Sequence, residues 1–336
     1  MRERREIPVL YIVVPCYNEE EVLPEAVSRL TEELKLLQSE QLISPKSSIL
    51  LVDDGSRDRT WALIESYSRM MPGVGGLKLA GNSGHQAALL AGLLHAKESA
   101  DCVVSMDADL QDDVGAVRSF VRKYREGFDV VYGVRGERSS DTFFKRFTAQ
   151  SFYKFMNRLG VPLIYNHADY RLMSRAVLQQ LERYKEVNLF LRGIIPLIGF
   201  RSVVVTYDRG ERFAGESKYP LRKMLAFALD GITSFSVRPI RWVTLIGFLL
   251  FAVSIVVGCY VVVRKWQGAT VSGWSSLMVS VWFIGGVQLV ALGLVGEYIG
   301  KIYREVKRRP LYHVEEMRQP SLAPELETSR EQVTIQ

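Results

Sequence analysis

The stretch Val103-Val104-Ser105-Met106-Asp107-Ala108-Asp109-Leu110-Gln111-Asp112-Asp113 fixes the character of the chain. An apolar run of strand composition empties into two carboxylates, Asp107 and Asp109, at the C-terminal end of what reads as a buried strand. In open α/β sheets that end is where ligands bind. Residues i and i+2 of an extended segment point to the same side, so Asp107 and Asp109, with Gln111 one step further, are expected to converge on a single hard cation. Ligands that are all oxygen favour Mg²⁺ or Mn²⁺ over zinc.

Outward from this stretch, the N-terminal part repeats one unit. Leu10 to Val14 is a β-branched run that stops at Pro15, and Pro15-Cys-Tyr-Asn-Glu-Glu-Glu leads into helical spacing through Leu23, Val27, Leu30 and Leu34. Ile49 to Val52 ends in Asp53-Asp54-Gly55-Ser56 before a helix carrying Trp61, Ile64 and Tyr67. Leu77 to Ala80 precedes Gly81-Asn82-Ser83-Gly84-His85 and an Ala- and Leu-rich helix to about Lys97, and Phe128 to Tyr132 is a further strand. Strands alternating with helices predict an α/β fold, a mostly parallel sheet with helices on both faces whose strand ends line one crevice. The dinucleotide glycine fingerprint and the phosphate loop ending in Gly-Lys-Ser/Thr are both missing from the sequence. An acidic strand end instead suits a ribose or base, and a metal-bound carboxylate pair suits a diphosphate.

Beyond Gly133 the chain turns basic, with Arg135 and Arg138, and Phe143 to Leu159 reads as an amphipathic helix. Arginines at the mouth of an acidic crevice are placed to hold a second phosphate. Asn166 to Arg171 reads as a polar loop before a helix from near Ser174, and Ser202 to Tyr207 as a strand. Asp208 to Tyr219, with Arg209, Arg212, Gly215, Ser217 and Lys218, reads as a mobile, phosphate-directed loop.

The chain has 336 residues, 48% of them hydrophobic, and a net charge of +6. Val243 to Val263 and Ser275 to Gly296 carry no charged residue, and each spans roughly 30 Å as a helix, the thickness of a bilayer core. Two transmembrane helices are therefore expected at about 243–263 and 275–297. Arg222, Lys223, Arg238 and Arg241 precede the first, and Lys301, Arg304, Lys307, Arg308 and Arg309 follow the second, whereas Arg264 and Lys265 alone lie between. The N-terminus lacks a secretory apolar segment, so the catalytic domain and both termini are expected on the cytoplasmic side of a cell (inner) membrane. The expected division is a catalytic domain over 1–220, an amphipathic interfacial segment over 221–241, two spans within 242–300, and a basic, partly disordered tail over 301–336. The basic charge suits anionic lipid, and no nucleic-acid-binding motif accompanies it. Cys16, Cys102 and Cys259 lack metal-site spacing and read as free thiols. Gly285, Gly286, Gly293 and Gly296 allow a close helix contact within one chain or between copies, which leaves a homo-oligomer open.

With these residues in view, the chain resembles the family-2 glycosyltransferases of the dolichol-phosphate mannosyltransferase type, especially bacterial polyprenyl-phosphate (bactoprenol) glycosyltransferases with two C-terminal spans. The resemblance runs from Val13 to about Arg309. It rests on the ordered set Val14-Pro-Cys-Tyr-Asn-Glu, Val52-Asp-Asp-Gly-Ser-X-Asp, Asn82-X-Gly-His-Gln, Asp107-Ala-Asp-Leu-Gln-Asp, Tyr132-Gly-X-Arg, Ala168-Asp-Tyr-Arg-Leu-Met and Gly215-Glu-Ser-Lys-Tyr. Ser83 departs from the aromatic common in relatives. The resemblance implies a GT-A-like fold and a metal-dependent inverting enzyme that moves a sugar from a nucleotide-diphospho-sugar, with a UDP-sugar the first expectation, to undecaprenyl phosphate for cell-envelope glycans. It puts Pro15, Tyr17, Asn18, Glu19, Asp53, Asp54, Asn82, His85 and Asp107 on the donor nucleotide, with His85 alternatively a helix cap. Asp107, Asp109 and Gln111 would hold Mg²⁺ or Mn²⁺, and Arg135, Arg138, Arg212 and Lys218 the lipid phosphate. Asp169 falls near the reacting centre with Asp107 and Asp109, as a base or as an orienting group. A processive synthase is disfavoured by the missing Gln-X-X-Arg-Trp motif, and a non-catalytic scaffold or flippase partner by the intact carboxylates and arginines. Nucleotidyl transfer uses the same carboxylate chemistry and differs in its product.

Overall fold

The computed structural model describes residues 5–136, 167–187, 189–208, 238–267 and 273–321. They fall into two compact units, one holding 5–136, 167–187, 189–208 and 310–321, the other 238–267 and 273–309. The expected helix over 143–159, the loop over 209–219 and the expected interfacial segment up to residue 237 lie outside the described residues, while 238–241, expected to end that segment, already belong to a long helix.

The strands of the first unit are β1 (Leu10–Cys16), β2 (Ser48–Asp53), β3 (Val74–Leu79), β4 (Cys102–Ser105), β5 (Val130–Arg135), β6 (His167–Ser174), β7 (Ser202–Tyr207) and β8 (Val314–Arg318). They form one sheet in the order β7-β5-β6-β4-β1-β2-β3-β8. β4, β1, β2 and β3 run parallel side by side, so their C-terminal ends share one edge. β6 enters antiparallel between β4 and β5, and β7 runs parallel to β5. Every residue of β1 and β2 is buried, which is why both read as unbroken apolar runs.

The helices are α1 (Leu23–Ser39), α2 (Thr60–Met70), α3 (His85–Ala96), α4 (Ala116–Arg125), α5 (Arg175–Leu181) and α6 (Leu191–Leu197). α1 starts with Pro24 in its first turn and buries Leu23, Ala26, Val27, Leu30, Leu34 and Leu37, one stripe at helical spacing. That stripe joins Ile64 of α2 and Val117, Phe120 and Val121 of α4 in a core against Leu10, Ile12, Val14, Ile49 and Leu51. Each such side chain removed from water contributes about 1.5–3 kcal/mol, so this layer fixes the helices against the sheet. On the opposite face α3 lies close to the sheet because residue 92 is glycine. A Cβ there would sit 2.5 Å from Val13 and 2.7 Å from Val52.

Two segments depart from the sequence expectation. Asn166 to Arg171 was expected as a polar loop, but His167–Ser174 is the strand β6. Tyr170 and Leu172 enter the core while Asp169 and Arg171 alternate onto the other side and pair there, so polar letters stand in a buried strand. The segment from Arg308 was expected to lack regular structure, but Val314–Arg318 is β8, antiparallel to β3. Main-chain bonds from Gly73 to Ser321 (2.9 Å) and from Ala80 to His313 (2.9 Å) extend the pairing at both ends.

The second unit comprises α7 (Arg238–Trp266) and α8 (Trp274–Lys307). Both helices are long and apolar enough to cross a bilayer, over Ile240–Arg264 and Phe283–Lys307, and neither window is buried. Leu245, Phe248, Leu249, Phe251, Leu289 and Val290 are exposed, the arrangement of a helix whose solvent is lipid. α8 continues to Lys307, roughly three turns past the expected end at 297. Nothing lies within 4 Å of a Cβ built on Gly285, Gly286, Gly293 or Gly296, so the close contact they allow is not made within the described chain.

Candidate active site

The crevice begins where β1 and β2 end. Pro15 lies in β1 opposite Val52, and the loop beyond it turns on Asn18, whose φ is +55°. The loops after β1 and β2 are stitched together. Asn18 N–H donates to Ser56 Oγ (3.0 Å), Arg57 N–H to Asn18 Oδ1 (2.9 Å) and Glu19 N–H to Thr60 Oγ1 (2.9 Å). Tyr17 is left 42% exposed beside them. Asp54 accepts the N–H groups of Ser83 (2.7 Å) and Gly84 (3.0 Å), which ties the loop before α3 to the end of β2. Gly55 makes that approach possible. Its φ is +67°, and a Cβ there would sit 2.6 Å from Asn82 N. Asn82 itself is exposed. Asp53 is fully buried; Oδ1 accepts Ser56 N–H (3.3 Å) while Oδ2 is buried without a hydrogen-bond partner. Burial raises the pKa of both Asp53 and Asp54.

The centre of the crevice is built by β4 and β6. β4 ends at Ser105, so Asp107 and Asp109 stand in a turn rather than in an extended segment, and Leu110 closes that turn with φ +56°. The same-side geometry expected from i and i+2 in a strand is thereby replaced by a loop. Gln111 meets Asp109 through its backbone N–H (3.2 Å to Oδ1). Ser105 pairs with Arg171, and carrying that antiparallel register two residues on sets Asp107 opposite Asp169. Ser105 Oγ donates to the Asp169 carbonyl (2.5 Å) and fixes the two strands there.

Asp169 is almost fully buried and lies between two guanidiniums. Arg171 bonds Oδ1, and Arg192 of α6 reaches both oxygens, with Nε 3.1 Å from Oδ1 and Nη2 2.8 Å from Oδ2. Burial alone would raise its pKa, but Arg171 and then Arg192 overcome this and hold the carboxyl well below the usual range. Asp169 is therefore a permanent anion, unsuited to taking a proton near neutral pH. His85, the first residue of α3, sets Nε2 3.6 Å from Asp107 Oδ1 and 3.9 Å from Asp169 Oδ2. Burial pushes Asp107 up to about 6, with His85 opposing and Asp169, Asp112 and Asp109 reinforcing. Crowded carboxylates with oxygen donors fit a hard divalent cation. Among the described residues no three His, Cys, Asp or Glu groups form a metal cage. Asp107 and Asp109 could therefore supply only part of the oxygen shell of a Mg²⁺ ion, which commonly takes its remaining ligands from substrate phosphates and water.

At the other end of the loop, Tyr207 of β7 donates to Asp112 Oδ1 (2.5 Å), and Tyr170 donates to the Asp113 carbonyl (2.8 Å). Arg135 joins them, with Nε 3.4 Å from Tyr207 Oη and Nη2 3.5 Å from Asp112. Burial, and after it the Asp112 carboxylate, raise the Tyr207 pKa, so its hydroxyl stays a donor. Arg138, Arg212 and Lys218, expected on the acceptor phosphate with Arg135, lie outside the described residues. Sequence reasoning missed Arg171, Arg192, Asp112 and Tyr207. Arg171 and Asp112 stood within quoted motifs, whereas Arg192 and Tyr207 gave no local signal.

Residues 11–182 match the family described as Glycosyl transferase family 2, and residues 238–302 match the GtrB C-terminal hairpin. The chain is 60% identical over 308 residues to the uncharacterized glycosyltransferase YkoT of Bacillus subtilis, covering 92% of this chain and 91% of that one. It is 41% identical over 305 residues to the SfII prophage-derived bactoprenol glucosyl transferase of Shigella flexneri, covering 90% and 96%. A prophage bactoprenol glucosyl transferase homolog of Escherichia coli is 38% identical, covering 91% and 98%. The acidic crevice thus belongs to a sugar-transferring enzyme, and the chain is a member of glycosyl transferase family 2 that carries a GtrB C-terminal hairpin.

Proposed function

We propose that the protein moves a hexose from a nucleotide-diphospho-sugar, UDP-glucose first among candidates, to the phosphate of a polyprenyl lipid at the cytoplasmic face of the cell membrane. One observation carries this. The catalytic sheet is closed by β8, which follows both apolar helices in the chain, so a crossing by α7 must be undone by α8. Two crossings return the chain to the side from which it entered, and Lys301, Arg304, Lys307, Arg308 and Arg309 after them favour the cytoplasmic side. A soluble donor meets there an acceptor whose hydrocarbon stays in lipid. The bactoprenol glucosyl transferases among the relatives support the same acceptor and sugar.

The chemistry follows from the described groups. Asp53 and Asp54, at the end of β2, are the candidates for the base and ribose, and Asp54 keeps the loop before α3 against that strand end. Asp107 and Asp109 would hold Mg²⁺ or Mn²⁺, which when bound neutralises the diphosphate and assists its departure. His85 lies beside Asp107, at a helix N-terminus that already favours anions. The acceptor is a phosphate monoester with a second pKa of about 6, so its oxygen attacks the anomeric carbon without a general base, and displacement from behind inverts that carbon. Asp169, held as an anion by two arginines, fits an orienting role. Arg135 is held by Asp112 and Tyr207 at the crevice edge as a candidate for the acceptor phosphate. Purified protein given labelled UDP-glucose, UDP-N-acetylglucosamine or GDP-mannose with undecaprenyl phosphate, and Mg²⁺, Mn²⁺ or EDTA, should put label into the lipid phase from one donor only, and only with metal. Folded protein that labels no lipid from any donor would favour the scaffold reading.

A further inference from the structure

Gln86 stands in the Asn82-X-Gly-His-Gln motif, yet the reaction just described leaves it unused. Its side-chain Oε1 accepts the N–H of Leu191 (2.9 Å), the first residue of α6. α6 begins there without a cap from its own N-cap residue Phe190, so Gln86 supplies from α3 what the local sequence lacks. The next residue, Arg192, reaches both oxygens of Asp169. Asp169 Oδ2 lies 3.9 Å from Nε2 of His85, which adjoins Gln86 in the chain. The contacts therefore close a ring that runs from His85 to Asp169, Arg192, Leu191, Gln86 and back to His85, and joins α3, β6 and α6. His85 also faces Asp107, at 3.6 Å.

We propose that Gln86 and Arg192 are positioning residues for the transfer reaction, setting the distance of His85 from Asp107 through the Asp169 carboxylate. The sequence separation supports this. Residues 86 and 191 are 105 apart, and a side chain that reaches across them at 2.9 Å fixes two helices that no local turn relates. Arg192 presents a planar fork to both carboxylate oxygens, which sets rotation as well as distance. The Asp169–Arg171 pair lies within β6 itself and survives the loss of Arg192, so the strand retains an ionic partner. Changing Arg192 should therefore alter the reaction before it alters the fold.

The proposal rests on the sugar-transfer reading, and its test separates the two. Arg192→Ala and Gln86→Leu should each lower kcat about 10- to 100-fold, the usual loss when a group behind a catalytic centre is removed, with the KM for the nucleotide-sugar changed less than threefold. Gln86→Glu, which keeps an acceptor oxygen, should recover most of the rate. Added guanidinium ion at millimolar concentration should restore part of the Arg192→Ala rate, a gain that a packing defect would not give. In a double-mutant cycle, either change on a His85→Ala background should cost little more than His85→Ala alone. Additive losses, or an Arg192→Ala enzyme with more than half the wild-type kcat, would overturn the positioning role and leave the transfer reading standing. Wild-type protein that transfers nothing from any donor would overturn both.

Discussion

Asp107 sits where burial and neighbouring carboxylates favour its protonated form, with a pKa of about 6, so taking up a divalent cation means losing a proton. The sign follows directly. Above the raised pKa the carboxylate is already charged and metal affinity is flat with pH. Below it, each unit of acid should raise the Mn²⁺ concentration needed for half-activation by up to about tenfold. Mn²⁺ activation curves between pH 5 and 8 measure this, and an activation constant equal at both ends would remove Asp107 from the metal shell. Asp109→Ala should lower transfer by on the order of 10²–10³, the scale of losing one preorganised electrostatic contact, while membrane insertion stays intact. Arg135→Ala should raise the KM for the lipid acceptor about 10-fold and leave that for the nucleotide-sugar within about twofold, since a bond to a charged group contributes about 1.5–3 kcal/mol. Equal losses for both substrates would remove Arg135 from the acceptor side.

At the scale of elements, the strands that showed in the sequence are those buried on both faces. β1 and β2 announce themselves because no position faces water. β6 stayed hidden because its core face, Tyr170 and Leu172, alternates with an ion pair that is satisfied only in three dimensions. β8 stayed hidden because it is an edge strand, Val-Glu-Glu-Met-Arg, largely exposed and held by main-chain bonds that carry no side-chain pattern. The site followed the same division. Carboxylates at strand ends were legible, while the arginine from α6 and the tyrosine from β7 reach the crevice by folding alone. β8 also makes a prediction. Gly75 lies under it, where a Cβ would sit 2.7 Å from Pro320 Cδ and 2.8 Å from the Arg318 carbonyl. Gly75→Val should therefore dislodge β8, costing about 1–3 kcal/mol and exposing the β3 edge. Limited tryptic proteolysis reads this as early cleavage between Arg318 and Gln319. A cleavage pattern like wild type would mean that β8 is not held by that approach. The ion pairs Lys78–Glu315 and Arg318–Glu65 are partly exposed and contribute little by comparison.

At the scale of the whole molecule, one chain supplies an acidic crevice and a hairpin of membrane length, with the sheet completed only by a strand that follows the hairpin in the chain. That order of elements suits the proposed reaction, whose two substrates occupy different phases. A nucleotidyl transferase would use the same carboxylates but leave the nucleotide on its product. The most direct measurement is the structure of the lipid product made from an α-linked nucleotide-sugar, by mass spectrometry and by NMR of the anomeric centre. The account predicts one sugar joined through C1 to the lipid phosphate, β-configured, with free nucleoside diphosphate released in equal amount. A product that keeps the nucleotide, or that keeps the α-configuration of the donor, would contradict it.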